Sequence, residues 1–282
     1  SSAASDVYKR QINNQEKNMK KRHLVYAIAL IVGMGACAAS AKKQAEAKPD
    51  VWKSYNVGTV LFEDKASETK GSDIYHRIIP DAESYIKEQA RTVLATLYNS
   101  PEDSITPVNK IHYTLEDIEG ISAKGGGNGD VTIFYSTRHI EKSFAENDTA
   151  KLFFETRGVL LHELTHAYQL EPQGIGSYGT NRVFWAFIEG MADAVRVANG
   201  GFDGPNARPK GGNYMDGYRT AGYFFVWLRD NKDPEFLRKF NRSTLEVIPW
   251  SFDGAIKHIL GTEYSIDELW HEYQVAVGDI QV

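Results

Sequence analysis

The stretch "LLHELTHAYQ", residues 160–169, narrows what this chain can build more than any other. It sits inside "ENDTAKLFFETRGVLLHELTHAYQLE", whose apolar residues recur at helical spacing, with Asp148 or Thr149 placed to cap the start. On such a helix His162 and His166, at i and i+4, point the same way about one turn apart. That spacing lets both imidazoles reach one tetrahedral ion at roughly 2.0–2.1 Å. Glu163 lies about 100° around the helix from His162, where it can hold a water and take its proton rather than bind the ion. Two histidines do not close a metal site, so the fold must bring a third donor from elsewhere.

That donor is not close behind in the chain. In the metzincin pattern a glycine and a third histidine follow within six residues, and those positions here are Gln169 and Pro172. The next long helical pattern, "VFWAFIEGMADAVRVANG", places Glu189 and Asp193 at i and i+4. Twenty-two residues separate His166 from Glu189, enough for a loop and a helical reversal. Ile188, Met191, Ala192 and Val195 surround the two acids, so the segment reads as buried, and buried carboxylates require partners. Glu189 is therefore the expected third ligand, with Asp193 accepting the outer N–H of a ligating histidine. The reverse assignment, Asp193 as ligand and Glu189 in support, stays open. Arg196 reads as a salt-bridge partner for a helix carboxylate.

The rest of the chain supplies an α+β frame. "YNVGTVLFEDK" reads as a first strand, and Pro80 stands at the start of a helix over "DAESYIKEQARTVLATLY". "KIHYTLEDI" alternates as a half-buried strand, "GISAKGGGNGD" reads as a loop, and "VTIFYS" is the second clear strand, at an edge or at the centre of a sheet. "GGGNG" lacks the Lys-Ser/Thr of a phosphate loop and leads into a strand, so it is expected to be a flexible turn. After the two long helices come "DGYRTAGYFFVWLRDN", whose aromatic run reads as core, and three shorter helical segments, "PEFLRKFNRS", "SFDGAIKHIL" and "SIDELWHEYQVAV". His76, His112, His139 and His271 show no ligand spacing. A small sheet and one long helix followed mostly by helices gives a single domain expected over 51–282.

The N-terminal part carries an address. Residues 1–18 precede Met19 and read as a non-native leader, "SSAASDVYKRQ" resembling translated adaptor sequence. Residues 19–41 have the basic start, short apolar run and small-residue end of a signal peptide. "MGAC" makes Cys37 a candidate lipidated cysteine, with ordinary cleavage after "ASA" at 39–41 as the competing outcome. Residues 42–50 form a polar linker. This predicts export in a bacterium, to the periplasm, the outer membrane or the medium, with membrane attachment in the outcome where Cys37 is lipidated. The single cysteine excludes intrachain disulfides, and a formal charge of -5 without a basic stripe argues against nucleic acid.

Several stretches together, "DIEGISAKGGGNGDVTIFYSTRHIEK", "TRGVLLHELTHAYQ", "FIEGMADAVRV", "GYRTAGYFFVWL" and "SIDELWHEYQ", resemble the basic secretory proteins, peptidases of plants and bacteria. "HELTHA" followed by a Glu-x-x-x-Asp helix is also similar to the thermolysin-like gluzincins. The resemblance covers roughly Lys110 to the C-terminus. It implies a zincin-like fold, zinc as the cofactor, a peptide or protein substrate, and His162, Glu163, His166 and Glu189 as metal-site residues. It also matches Tyr218 to a tyrosine of the family pattern, a candidate donor to the developing oxyanion. Tyr214, Tyr223 and His258 compete for that role. The chain departs from the family in being acidic overall and in longer inserts at "QGIGSYGTNRVFW" and "GFDGPNARPKGGN". The expected activity is zinc-dependent peptide hydrolysis. The contrasting expectation is a non-catalytic surface lipoprotein that binds protein or glycan around a structural metal.

Overall fold

Alternation builds the sheet. In β2 (Lys110–Glu116) the buried residues include Ile111, Tyr113 and Leu115, and in β4 (Asp130–Ser136) they include Val131, Ile133 and Tyr135. The two strands pair in parallel with these residues in register, Ile111 opposite Val131, Tyr113 opposite Ile133 and Leu115 opposite Tyr135. One face of the ladder is therefore continuous apolar surface. β1 (Thr59–Asp64) adds in parallel beyond β2, and β3 (Ser122–Gly127) adds antiparallel beyond β4, giving the order β1-β2-β4-β3. The computed structural model describes residues 51–143 and 149–281. The readings placed on the leader, the signal segment with Cys37, the linker and Asp148 lie outside the described residues.

Helices cover the apolar face. α1 (Lys70–Ile78) and α2 (Ala82–Leu97) connect β1 to β2. Asp81 caps α2, its side chain accepting from the Ser84 N–H at 3.0 Å, so the helix starts just past Pro80. α3 (Thr137–Ser143) follows β4 directly. α4 (Thr149–Tyr168) is buried on most of its circumference through Val159, Leu160, Leu161, Leu164 and Ala167, as a central helix must be. It packs on α2 and β3. Its C-terminal end is pinned where the Tyr168 hydroxyl donates to the Val57 carbonyl at 2.8 Å and the Tyr98 hydroxyl to the Tyr168 carbonyl at 2.5 Å.

Asn181 starts α5 (Arg182–Ala198) by accepting from the N–H groups of Val183 and Phe184. This helix runs back along α4: Glu189 and Asp193 come level with His162, and Arg196 comes level with Glu155. A 3₁₀ turn at Tyr214–Asp216 leads to α6 (Tyr218–Asn231), which approaches α5 closely. Gly190 and Gly222 permit that approach. A Cβ on Gly190 would lie 2.7 Å from the Ala221 Cβ, and one on Gly222 would lie 2.9 Å from the backbone of Asp193 and Ala194. α7 (Phe236–Glu246), α8 (Phe252–Leu260) and α9 (Ile266–Ala276) complete the fold. Phe187, Phe225, Phe240, Trp250 and Phe252 meet there edge-to-face and tilted, with centroid separations from 4.7 to 6.1 Å. Each fully buried ring contributes about 1.5–3 kcal/mol relative to an exposed one. The expectation that "FFVWLRD" is core holds for Phe224, Phe225 and Leu228.

The α+β class, the small mixed sheet and the helical C-terminal part are as expected. Two local features differ, and one that the sequence left open is decided. "GISAKGGGNGD" is not a loop: Ser122–Gly127 is strand β3, and the turn is confined to Asn128 and Gly129, both at positive φ. Two such residues between antiparallel strands make a hairpin turn of the kind Asn-Gly favours. "VTIFYS" is central, so the sheet edge on this side belongs to β3. "KGSDIYHRI" and "TRHIEKS" form the short helices α1 and α3, for which the sequence reading had no element.

Candidate metal centre

The i, i+4 spacing on α4 sets the His162 and His166 rings perpendicular, with their Nε2 atoms 3.1 Å apart. Glu189 comes down from α5 so that its Oε2 lies 3.3 Å from Nε2 of His162 and 3.6 Å from Nε2 of His166. Three donors each bonded to a tetrahedral ion at roughly 2.0–2.1 Å stand about 3.3 Å from one another. The observed triangle of 3.1, 3.3 and 3.6 Å has that size.

Partners on the outer side of each donor hold the triangle. The His162 Nδ1–H donates to Asp193 Oδ1 at 2.7 Å, which leaves the Nε2 lone pair facing inward. The side-chain amide of Gln169 lies 2.8 Å from Nδ1 of His166. The near atom is the amide Nε2, and turning the amide over sets its buried Oε1, otherwise unpartnered among the described residues, there to accept from Nδ1–H and free the Nε2 lone pair of His166 in the same way. The Tyr178 hydroxyl donates to Glu189 Oε1 at 2.6 Å. The other oxygen, Oε2, is buried and among the described residues has no hydrogen-bond partner. A buried carboxylate oxygen without a donor, facing two imidazole nitrogens, is a site that calls for a positive charge. The protonation behaviour agrees. Burial works against a charged His162, yet the Asp193 and Glu189 carboxylates outweigh it and lift the imidazole to about 10. Burial pushes the Glu189 carboxyl up, and the two imidazoles and Tyr178 more than reverse this, holding it well below the usual range. The donor set fits a divalent cation that takes nitrogen and oxygen.

Around the triangle lies an open cleft of roughly 780 Å³. Its floor follows α4 from Glu155 through His162, Glu163 and His166 to Gln169, and Ser122, Ala123 and Lys124 of β3 border it. Glu163 is buried, and among the described residues no hydrogen bond or ion pair engages its carboxylate, which borders the cleft. Tyr218 begins α6 at φ 41, its ring stacked beside His162 at 6.1 Å and set edge-on to Trp185 at 5.4 Å. Burial raises the Tyr218 phenol, with the carboxylates of Glu189, Asp193 and Glu163 acting in the same direction, so it stays a proton donor.

The expected residues His162, His166 and Glu189 come together, Asp193 stands behind His162, and Glu163 and Tyr218 share their cleft. The competitors of Tyr218 are committed elsewhere: Tyr214 to Asp267 at 2.9 Å, Tyr223 to the Phe202 carbonyl, and His258 to Glu246 at 3.0 Å. Arg196 pairs with Glu155 at 2.6 Å, as expected. His76 and His112 sit on surface carboxylates, and His139 lies 3.2 Å from Glu155. Sequence reasoning missed Tyr178 and the role of Gln169. Gln169 was findable, since it lies three residues past His166 on the same helical face. Tyr178 lies on the connection between α4 and α5, where no periodicity marks a side chain.

An α+β frame sets two helical histidines and a remote glutamate at the floor of a cleft, and these three side chains could hold a metal ion. The pattern of the basic secretory protein family, described as peptidases of plants and bacteria, matches residues 57–273, and the chain belongs to that family. No curated protein and no solved structure matches it.

Proposed function

We propose that this chain is a zinc-dependent peptidase in which His162, His166 and Glu189 hold the metal and Glu163 moves the proton. The donor triangle of 3.1–3.6 Å, closed by the buried and unpartnered Glu189 Oε2, carries this reading. Two imidazoles and one carboxylate are a donor set suited to zinc, and three protein ligands leave one position for chemistry. Zinc held there supplies Lewis acidity toward the scissile carbonyl and the attacking water. Glu163 takes the proton from that water and delivers it to the leaving amine. The Tyr218 hydroxyl donates to the developing oxyanion. Asp193, Gln169 and Tyr178 hold the three ligands in orientation. The free edge of β3 accepts the backbone of an extended peptide, a role that passes from "VTIFYS" to its neighbour. An open cleft and three donors support turnover over a closed structural site. Export, with Cys37 as the point of lipid attachment, completes the proposal.

The test uses the full chain. Glu163→Gln is expected to keep zinc, measured by metal analysis, and to lose casein hydrolysis by at least about 10²-fold, the scale of a removed general base. Glu189→Ala is expected to lose the zinc itself. Full hydrolysis by Glu163→Gln, or undiminished zinc in Glu189→Ala, would sink the assignment.

A further inference from the structure

Position along the cleft maps onto position along α4, because that helix is its floor. The histidines occupy the middle. Glu155 precedes His162 by seven residues, about 10 Å along the axis. At this end the cleft has a built wall. The Arg196 guanidinium is buried and neutralised by Glu155, and its carbon lies 3.7 Å from the centroid of the Phe202 ring. Phe202 is held at φ 54, a conformation bulky residues rarely adopt, and its carbonyl accepts from the Tyr223 hydroxyl. Strain of this kind survives only where the surroundings impose it, and it gathers at binding sites. The second bulky residue at positive φ, Tyr218, borders the same cleft.

On this platform stands an uncommitted cation. Arg219 places its guanidinium carbon 5.3 Å from the Phe202 centroid and, among the described residues, hydrogen-bonds only the Ala207 carbonyl, at 3.3 Å. Among the described residues no carboxylate pairs with Arg219, and none pairs with Lys124, which also borders the cleft. Asp203, next to Phe202, makes no ion pair with either guanidinium. Asp216, just before α6, is turned back to the Asn213 N–H at 2.7 Å, and the first turn of α6 carries no side-chain cap. The opposite end, beyond His166, offers Glu171 with Phe184 and Ile188. In a chain of formal charge -5, an uncommitted arginine at one end of the cleft is a local feature and does not follow from composition.

We propose that this end of the cleft is a subsite for an Asp or Glu side chain of the substrate, read by Arg219 on its Phe202 platform. The proposal rests on the peptidase reading and narrows it to peptides that carry an acidic residue a few positions from the scissile bond.

Binding is measured on the full chain carrying Glu163→Gln, with zinc in the buffer, so that turnover plays no part. The probes are fluorescein-labelled peptide pools identical except for one fixed Glu or Gln, read by anisotropy. The Glu pool is expected to bind about tenfold more tightly at low salt, the scale of one charge-assisted contact. The ratio should fall toward one in 0.5 M salt, about where screening reaches a few ångströms, and also in Arg219→Ala. Arg219→Glu should turn the preference toward a matching Lys pool. Equal affinities for Glu and Gln, no binding of either pool, or a preference that survives Arg219→Ala overturns the subsite. Absence of hydrolysis by the unaltered chain sinks the peptidase reading and leaves this comparison standing. Hydrolysis that ignores the Glu–Gln difference sinks the subsite alone.

Discussion

Tyr178 and Gln169 show how single side chains complete a centre whose ligands lie elsewhere. Each binds the outer atom of a donor and so turns the inner atom toward the cluster. For Glu189 the division is clear, with Oε1 on the tyrosine and Oε2 on the imidazoles. Tyr178→Phe removes the first bond and leaves a second carboxylate oxygen without a donor. Metal affinity should fall roughly tenfold or more, the usual effect of losing an outer partner. Competition for zinc against a chromogenic chelator measures this directly, and unchanged affinity would reduce the tyrosine to a bystander. Asp193 was legible in the sequence because it repeats the i, i+4 spacing from Glu189 on one helix. Tyr178 was not, because a loop side chain is placed by tertiary contact alone.

The same division holds for elements. The helix α5 was legible because its apolar period is strong, and α4 because a long run of apolar residues without Pro carries the i, i+4 histidines. β3 was not, because "SAKGGG" has almost no side chains to show alternation, although the Asn-Gly that follows is a hairpin signal in its own right. Contact between α5 and α6 depends on residues without side chains. The Gly222 Cα faces the backbone of Asp193 and Ala194, which cannot move aside cheaply. Gly222→Ala should therefore push α6 away and destabilise the fold by about 1–3 kcal/mol, as overpacking does. Because Asp193 holds His162, zinc affinity should fall along with the denaturation midpoint. A variant that loses stability and keeps full affinity would show that the two helices do not share the site's geometry.

Across the whole molecule, the "GFDGPNARPKGGN" insert is tied to the end of the chain. Arg208 meets both oxygens of Asp279 at 2.7 Å, and the Gly211 N–H donates to the same carboxylate at 2.9 Å. This clamp holds the segment that carries Phe202. The Arg208 guanidinium is the chief cause that brings the Asp279 carboxyl down from 3.8 to about 2. The folded state thus favours the ionised form, and the contribution is fully present above pH 3.8 and is lost as pH falls toward about 2. Asp279→Asn should cost about 1–3 kcal/mol at neutral pH, the scale of charge-assisted hydrogen bonds to a largely covered carboxylate. It should also flatten the stability curve between pH 4 and pH 2. Denaturant unfolding across that range checks both, and a curve parallel to that of the unaltered chain would exclude the clamp.

By itself the sequence determined the long helices, the face on which His162 and His166 lie, the i, i+4 spacing of Glu189 and Asp193, and the family. These follow from local periodicity, since residues three or four apart on a helix are neighbours whatever surrounds them. The tertiary structure alone decided that Glu189 Oε2 comes within 3.6 Å of both imidazoles, that β3 forms the free edge, and that Arg219 stands uncommitted on Phe202. Those facts depend on how α5 and α6 settle against α4, and that is set by packing between residues far apart in the chain.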